Sequence, residues 1–87
     1  MSYRVDIKTS ALRALEKIPK AFQSRILDKV TNLGISPRPA GCSKLAGGGN
    51  LWRVRMGDYR IVYVVDDARK TVDIRIIAHR REVYRDV

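Results

Sequence analysis

Two runs of alternating side chains, Leu51–Met56 and Tyr59–Val65, are separated by two residues, Gly57 and Asp58. A connection this short closes a β-hairpin, because glycine accepts the positive φ that a tight turn between twisted strands imposes. The spacing also predicts the register. With Gly57 and Asp58 in the loop, Met56 pairs with Tyr59 and Arg55 with Arg60. Trp52, Val54 and Met56 then share one face with Tyr59, Ile61 and Tyr63, and Arg53, Arg55 and Arg60 share the other, since a slip of one residue would invert every side chain.

The remaining segments follow from periodicity and punctuation. Tyr3–Ile7 alternates and predicts a strand with Tyr3, Val5 and Ile7 on one side. Thr9 or Ser10 is positioned to cap a helix whose apolar residues are Leu12, Leu15 and Ile18, with Pro19 as its stop. A second helix is predicted from about Lys20 to Leu33, with Phe22, Ile26, Leu27, Val30 and Leu33 on one stripe and Gly34 after it. Ser36–Asn50 is rich in proline and glycine and predicts a loop. Its Gly47-Gly48-Gly49 run lacks the Gly-Lys-Ser/Thr ending of a phosphate-binding loop and leads into a strand, so it is expected to be only a connection. Asp66–Lys70 is a turn, Thr71–Ala78 a third strand of the meander, and Arg81–Val87 a short tail. The expected fold is α+β with the order βααβββ, a helical hairpin on one face of a mainly antiparallel four-stranded sheet, in one domain spanning residues 1–87.

Charge narrows the function. Eighteen Lys and Arg stand against nine Asp and Glu, a net charge of +9, which favours a polyanionic partner, nucleic acid first and an acidic protein second. The basic residues change type along the chain: residues 52–87 hold eight Arg and a single Lys. Guanidinium groups fit phosphate in a bidentate fork, which lysine does not. One cysteine, Cys42, forms no intramolecular disulfide and, with the lone His79, falls short of a zinc ligand set, so neither a metal nor another cofactor is expected. The alternating N-terminus and the strand-sized apolar run Ile61–Val65 suggest neither a leader nor a membrane span, and a cytoplasmic protein is the expectation.

The hairpin carries the candidate site. Surface arginine is ordinarily a solvated residue, but like charges directly opposite each other destabilise a strand pair. Placing Arg55 against Arg60, with Arg53 beside them, has no structural benefit, and a bound phosphate would relieve it. Arg80 and Arg81 follow the last strand and approach Arg60 if that strand pairs with Tyr59–Val65. Tyr84 could stack on a base or simply tuck the tail onto the core, and stacking is the chemistry nucleic-acid sites use. His79, the one histidine, lies between a strand end and two arginines and is a candidate proton acceptor.

The segment Leu51-Trp52-Arg53-Val54-Arg55-Met56-Gly57-Asp58-Tyr59-Arg60-Ile61-Val62-Tyr63, followed by His79-Arg80-Arg81-Glu82-Val83-Tyr84, resembles the RelE branch of the RelE/ParE toxin superfamily. The similarity extends through the helical hairpin, the Ser36-Pro37-Arg38-Pro39 loop and Lys44-Leu45-Ala46-Gly47. It implies a ribosome-dependent endoribonuclease that cuts messenger RNA in the ribosomal A site. There the ribose 2′-OH attacks the adjacent phosphate without metal. It also implies a RelB-type antitoxin as partner and a toxin–antitoxin complex on operator DNA. By the resemblance the catalytic positions are Arg53, Arg55, Arg60, Arg80 and Tyr84, with Arg81 and His79 as RNA-binding neighbours. Arg53 and Arg55 stand where the best-known members carry lysines, which removes a tunable base and leaves charge stabilisation as the main device. A ParE-type, non-enzymatic inhibitor of DNA gyrase is the alternative on the same fold.

Overall fold

The hairpin forms at the residues its spacing requires. In the computed structural model, which describes residues 2–46 and 49–81, the elements are β1 (Arg4–Ile7), α1 (Thr9–Glu16), α2 (Lys20–Leu33), β2 (Ser43–Lys44), β3 (Leu51–Met56), β4 (Tyr59–Asp66) and β5 (Thr71–His79). The sheet order is β1-β5-β4-β3-β2. β1 runs parallel to β5, and the other pairs are antiparallel. The sheet therefore has five strands, one more than expected. The addition is β2, in which Ser43 and Lys44 pair with Arg53 and Trp52. A strand of two residues is too short to display alternation. It exists because the outer edge of β3 offers unpaired backbone groups for the loop to satisfy.

Helices α1 and α2 supply Leu15, Ile26, Val30 and Leu33 to a core completed by Val54, Ile61, Tyr63, Val65, Val72, Ile74 and Ile77 from the sheet. Each fully buried aliphatic side chain contributes roughly 1.5–3 kcal/mol. The α2 stripe is narrower than the apolar pattern: Phe22 and Leu27 are 37% and 41% exposed. In α1 Ala11 is buried together with Leu15, while Leu12 is 42% exposed. Ala11, Leu15 and Ile18 lie at i, i+4 and i+7, and the small Ala11 lets the helix approach β5 closely.

The start of α1 differs from expectation, whereas α2 stops at Gly34 as expected but without the usual device. The N-cap of α1 is Lys8, with no side-chain cap, and Thr9 and Ser10 are already helical. Lys8 N–H donates to the Ile74 carbonyl at 2.9 Å, so the parallel pairing with β5 continues to Lys8 and the chain passes directly from strand to helix. Gly34 ends α2 at φ −67°, without a left-handed turn. Its role is close approach. Tyr3 N–H donates to the Gly34 carbonyl at 2.6 Å, and a Cβ here would lie 3.0 Å from both the Tyr3 oxygen and Val5 Cγ2.

At the sheet end remote from the hairpin turn, the loop before β2 is fastened to the core. Tyr63 donates its buried hydroxyl to the Pro37 carbonyl at 2.7 Å. Arg38 forms a two-point pair with Asp67, at 2.8 and 3.2 Å, and stacks over Trp52. Tyr3 donates to the same Asp67 carboxylate at 2.6 Å. Arg38 and then Tyr3 hold that carboxyl down to about 2. No helix of the described residues is long and apolar enough to cross a membrane.

Candidate functional site

Gly57 takes φ 60° at the turn, and the ladder pairs Met56 with Tyr59, Arg55 with Arg60 and Arg53 with Val62. Val54, Ile61 and Tyr63 point into the core, so parity sends Arg53, Arg55 and Arg60 to the face opposite the helices. Arg55 is exposed, whereas Arg53 and Arg60 are half-buried. Arg60 folds back over the turn, its Nη1 donating to the carbonyls of Gly57 and Tyr59, both at 3.1 Å. Burial, followed by the positive charges of Arg55, Arg53 and Arg80, holds the Arg60 guanidinium below its ordinary pKa, against the opposite pull of Asp58. Arginine keeps its proton regardless. Beyond the effect of burial, the share due to the three neighbouring arginines reflects a positive potential that an anion would neutralise.

Arg80 reaches this cluster through backbone pairing. Its N–H donates to the Asp58 carbonyl at 2.7 Å, which fastens the end of β5 against the hairpin turn. Arg60 and Ala78 are direct partners in the β4–β5 ladder. Four guanidinium groups from three strand segments are thus gathered at one end of the open sheet face. Arg81 is exposed just beyond, its N–H donating to His79 Nδ1 at 3.3 Å. His79 is not brought into the cluster. Its ring lies edge-on to Tyr59, with centroids 5.7 Å apart, on the helix-covered side. The cause is a bulge in β5. Val62 pairs with Ile76 and Tyr63 with Ile74, so Arg75 has no residue opposite it in β4 and the parity of the residues after it is inverted. Tyr84 lies outside the described residues.

Asp58 in the turn is the carboxylate beside the cluster, and those of the next turn are far away. Asp66 accepts from the Arg69 N–H and Asp67 from Arg38, at the far end of β4. That is about 23 Å along the strand from Tyr59 at the usual rise per residue. Among the described residues no group of three or more His, Cys, Asp or Glu converges as a metal site. What converges at the hairpin is positive charge on fixed backbone, an arrangement that binds phosphate and stabilises the extra charge of a pentavalent phosphorus. A second basic feature was not anticipated. Lys8, Arg13 and Lys17 line a groove with Tyr59, Ile77 and His79, between α1 and the end of β5. The i, i+4 spacing of Arg13 and Lys17 was its only signal in the sequence.

The chain is similar to known proteins over nearly its whole length. The family described as the ParE toxin of the type II toxin–antitoxin system parDE matches residues 5–84. Toxin RelG of Mycobacterium tuberculosis is 30% identical over 86 residues, 98% of this chain and 99% of that protein. Toxin RelE of the same organism is 33% identical over 84 residues, 95% of this chain and 87% of that protein. The crystal structure of the archaeal RelE–RelB complex from Pyrococcus horikoshii OT3 contains a chain that superposes with a TM-score of 0.82 at 36% identity, covering 92% of this chain and 97% of that one. With its fold and these relatives in agreement, the chain belongs to the RelE/ParE superfamily of type II toxin–antitoxin toxins.

Proposed function

We propose that this toxin is a ribosome-dependent endoribonuclease that cleaves messenger RNA in the ribosomal A site. The observation that carries the reading is the Arg55–Arg60 cross-strand pair, with Arg53 and Arg80 beside it. A fold gains nothing from this concentration of like charge unless an anion occupies it. In the proposed reaction the ribose 2′-oxygen attacks the adjacent phosphorus and the bond to the 5′-oxygen breaks. The products are a 2′,3′-cyclic phosphate and a 5′-hydroxyl, the 5′-oxygen taking its proton from water as the 2′-OH proton passes to the base. Arg53, Arg55 and Arg60 offset the charge on the equatorial oxygens, and Arg80 supports the departing 5′-oxygen. The same cations lower the pKa of the bound 2′-OH, so a weak base suffices to take its proton. Tyr84 would stack on a neighbouring base, and Arg81 would contact the backbone nearby. His79, turned toward Tyr59, has a weaker claim to RNA than the arginines. A RelB-type antitoxin, of the kind present in the P. horikoshii complex, is the proposed partner, and the pair would act together on operator DNA.

Gyrase inhibition is the second reading, favoured by the ParE description of the matching family. Induced expression in a bacterial host separates the two. Mapping of messenger 5′ ends should reveal cuts within translated codons. Intact messages with DNA damage would assign the gyrase activity instead.

A further inference from the structure

Asp58, the second loop residue of the β3–β4 hairpin, is pinned beside the arginine cluster. Its backbone carbonyl accepts the Arg80 N–H at 2.7 Å. The carbonyls on either side of it, those of Gly57 and Tyr59, accept the Arg60 guanidinium, each at 3.1 Å. Its side chain is placed unlike those of the sheet's other aspartates. Asp6, Asp67, Asp66 and Asp73 pair with Arg4, Arg38, Arg69 and Arg75 in turn. Asp58 is exposed and near enough to Arg60 to act on its charge, yet among the described residues its carboxylate enters no ion pair or hydrogen bond. The turn does not require a carboxylate. With Gly57 at φ 60°, the next loop position takes asparagine or serine as well as aspartate. An anion here also opposes the phosphate that the arginines attract. Its charge weakens binding and gains a purpose only in the chemistry.

We propose that the Asp58 carboxylate is the general base of the cleavage reaction and accepts the 2′-OH proton of the bound RNA. The inference rests on the ribonuclease reading above and names the group that takes the proton. The four arginines keep their own protons and act only as charge. His79 faces Tyr59 on the helix-covered side. Asp66 and Asp67 are held in ion pairs at the far end of β4. A carboxylate outside any ion pair keeps its lone pairs for an incoming proton. The proton passes from the 2′-oxygen to a carboxylate oxygen of Asp58 as the bond from the 2′-oxygen to phosphorus forms. The bond from phosphorus to the 5′-oxygen breaks, and the 5′-oxygen takes a proton from water. Asp58 returns its proton to the hydroxide that remains, so no acid or base is consumed. The attacking and departing oxygens flank one phosphorus, so the base and the cation at the leaving oxygen must stand on neighbouring parts of the site. The bond between the Asp58 carbonyl and the Arg80 N–H keeps them there.

The test is single-turnover cleavage of messenger on programmed ribosomes by saturating full-length toxin, followed across about pH 6–8.5. Asp58→Asn keeps the turn, the backbone carbonyl and nearly the shape of the side chain. It should slow the cut by roughly 100-fold or more, the usual contribution of a positioned base. Its binding to programmed ribosomes should stay equal or tighten, because an anion has been removed. The pH profile separates a base from a residue that only shapes the turn. An ionised carboxylate base gives a rate that is flat across this range. Without it hydroxide takes the proton, and the rate of the Asp58→Asn variant should rise about tenfold per pH unit. Asp58→Ser also suits the turn and takes its place if thermal melting finds the Asp58→Asn variant unfolded. A folded variant that cuts near the wild-type rate, or a slowed one whose profile is as flat as wild type, overturns the assignment and spares the ribonuclease reading. So does a wild-type rate that itself climbs about tenfold per pH unit. If the wild-type toxin cuts no message, the ribonuclease reading falls, and the base with it.

Discussion

Arg55 stands directly opposite Arg60 in the β3–β4 ladder, two guanidinium groups sharing one rung of the sheet at the open face. Replacing one of them by a carboxylate turns repulsion into attraction. Arg55→Glu is expected to stabilise the fold by about 0.5 kcal/mol and to abolish RNA cleavage. Urea denaturation beside a cleavage assay on programmed ribosomes checks both halves. A destabilised Arg55→Glu variant would mean that the pair is not a cost to the fold.

Arg60 is the centre of the cluster, held against the turn by Gly57 and Tyr59 and surrounded by the other three arginines. Arg60→Ala should lower cleavage by roughly 100-fold or more, the usual effect of losing one preorganised charge donor at a reacting phosphate. Circular dichroism and thermal melting should stay close to wild type, because the side chain bonds only to nearby carbonyls. Full toxicity in a folded Arg60→Ala variant would remove the hairpin face from the mechanism.

Cleavage should depend on the 2′-OH and not on added metal. A single 2′-deoxy substitution at the cut site should block the reaction. EDTA, kept below the level that dissociates ribosomal subunits, should leave the chemical step unchanged. Cutting of the deoxy substrate would rule out internal attack.

Asp67 links acid stability to the loop before β2. Its folded pKa, about 2, lies below the 3.8 of an ordinary aspartate, through Arg38 first and Tyr3 second. The stability it contributes is therefore complete above the unfolded value and is lost as pH falls through the folded one. Asp67→Asn should lower the melting temperature at pH 7 and flatten its decline between about pH 4 and pH 2. An acid limb identical to wild type would show that the Arg38–Asp67 pair does not contribute.

Gly34 tests the seam between α2 and β1. Gly34→Ala places a methyl 3.0 Å from both the Tyr3 carbonyl oxygen and Val5 Cγ2, closer than ordinary van der Waals contact. The expected loss is about 1–3 kcal/mol, the usual cost of overpacking, despite the better helix propensity of alanine. Denaturant midpoints decide it, and a stabilised variant would show that the seam yields freely.

Local pattern was enough for the hairpin, the span of α2 and the shared face of Arg53, Arg55 and Arg60. A two-residue turn fixes register, and register fixes parity. The same logic failed where the determining partner is distant. Thr9 and Ser10 looked like caps because no local signal shows that Lys8 is still bonded to Ile74. Ser43 and Lys44 looked like loop because a two-residue strand is specified by the edge it covers, not by its own composition.

The sequence by itself determined which residues the hairpin presents together, because that arrangement depends only on contacts between near neighbours. What joins them was decided by the tertiary structure. Strict alternation from Val72 and Ile74 would have put Ile76 and Ala78 in the core and His79 among the arginines. In β5, Ile76 and Ile77 are both apolar, so either could serve the core and periodicity does not choose between them. Pairing with β4 chooses, leaving Arg75 with no residue opposite it in the ladder, burying Ile77 and turning His79 toward Tyr59. That same pairing carries Arg80 to the Asp58 carbonyl and into the cluster. A bulge is a compromise between two strands, so its position follows from how both pack against the core and is not written in either strand alone.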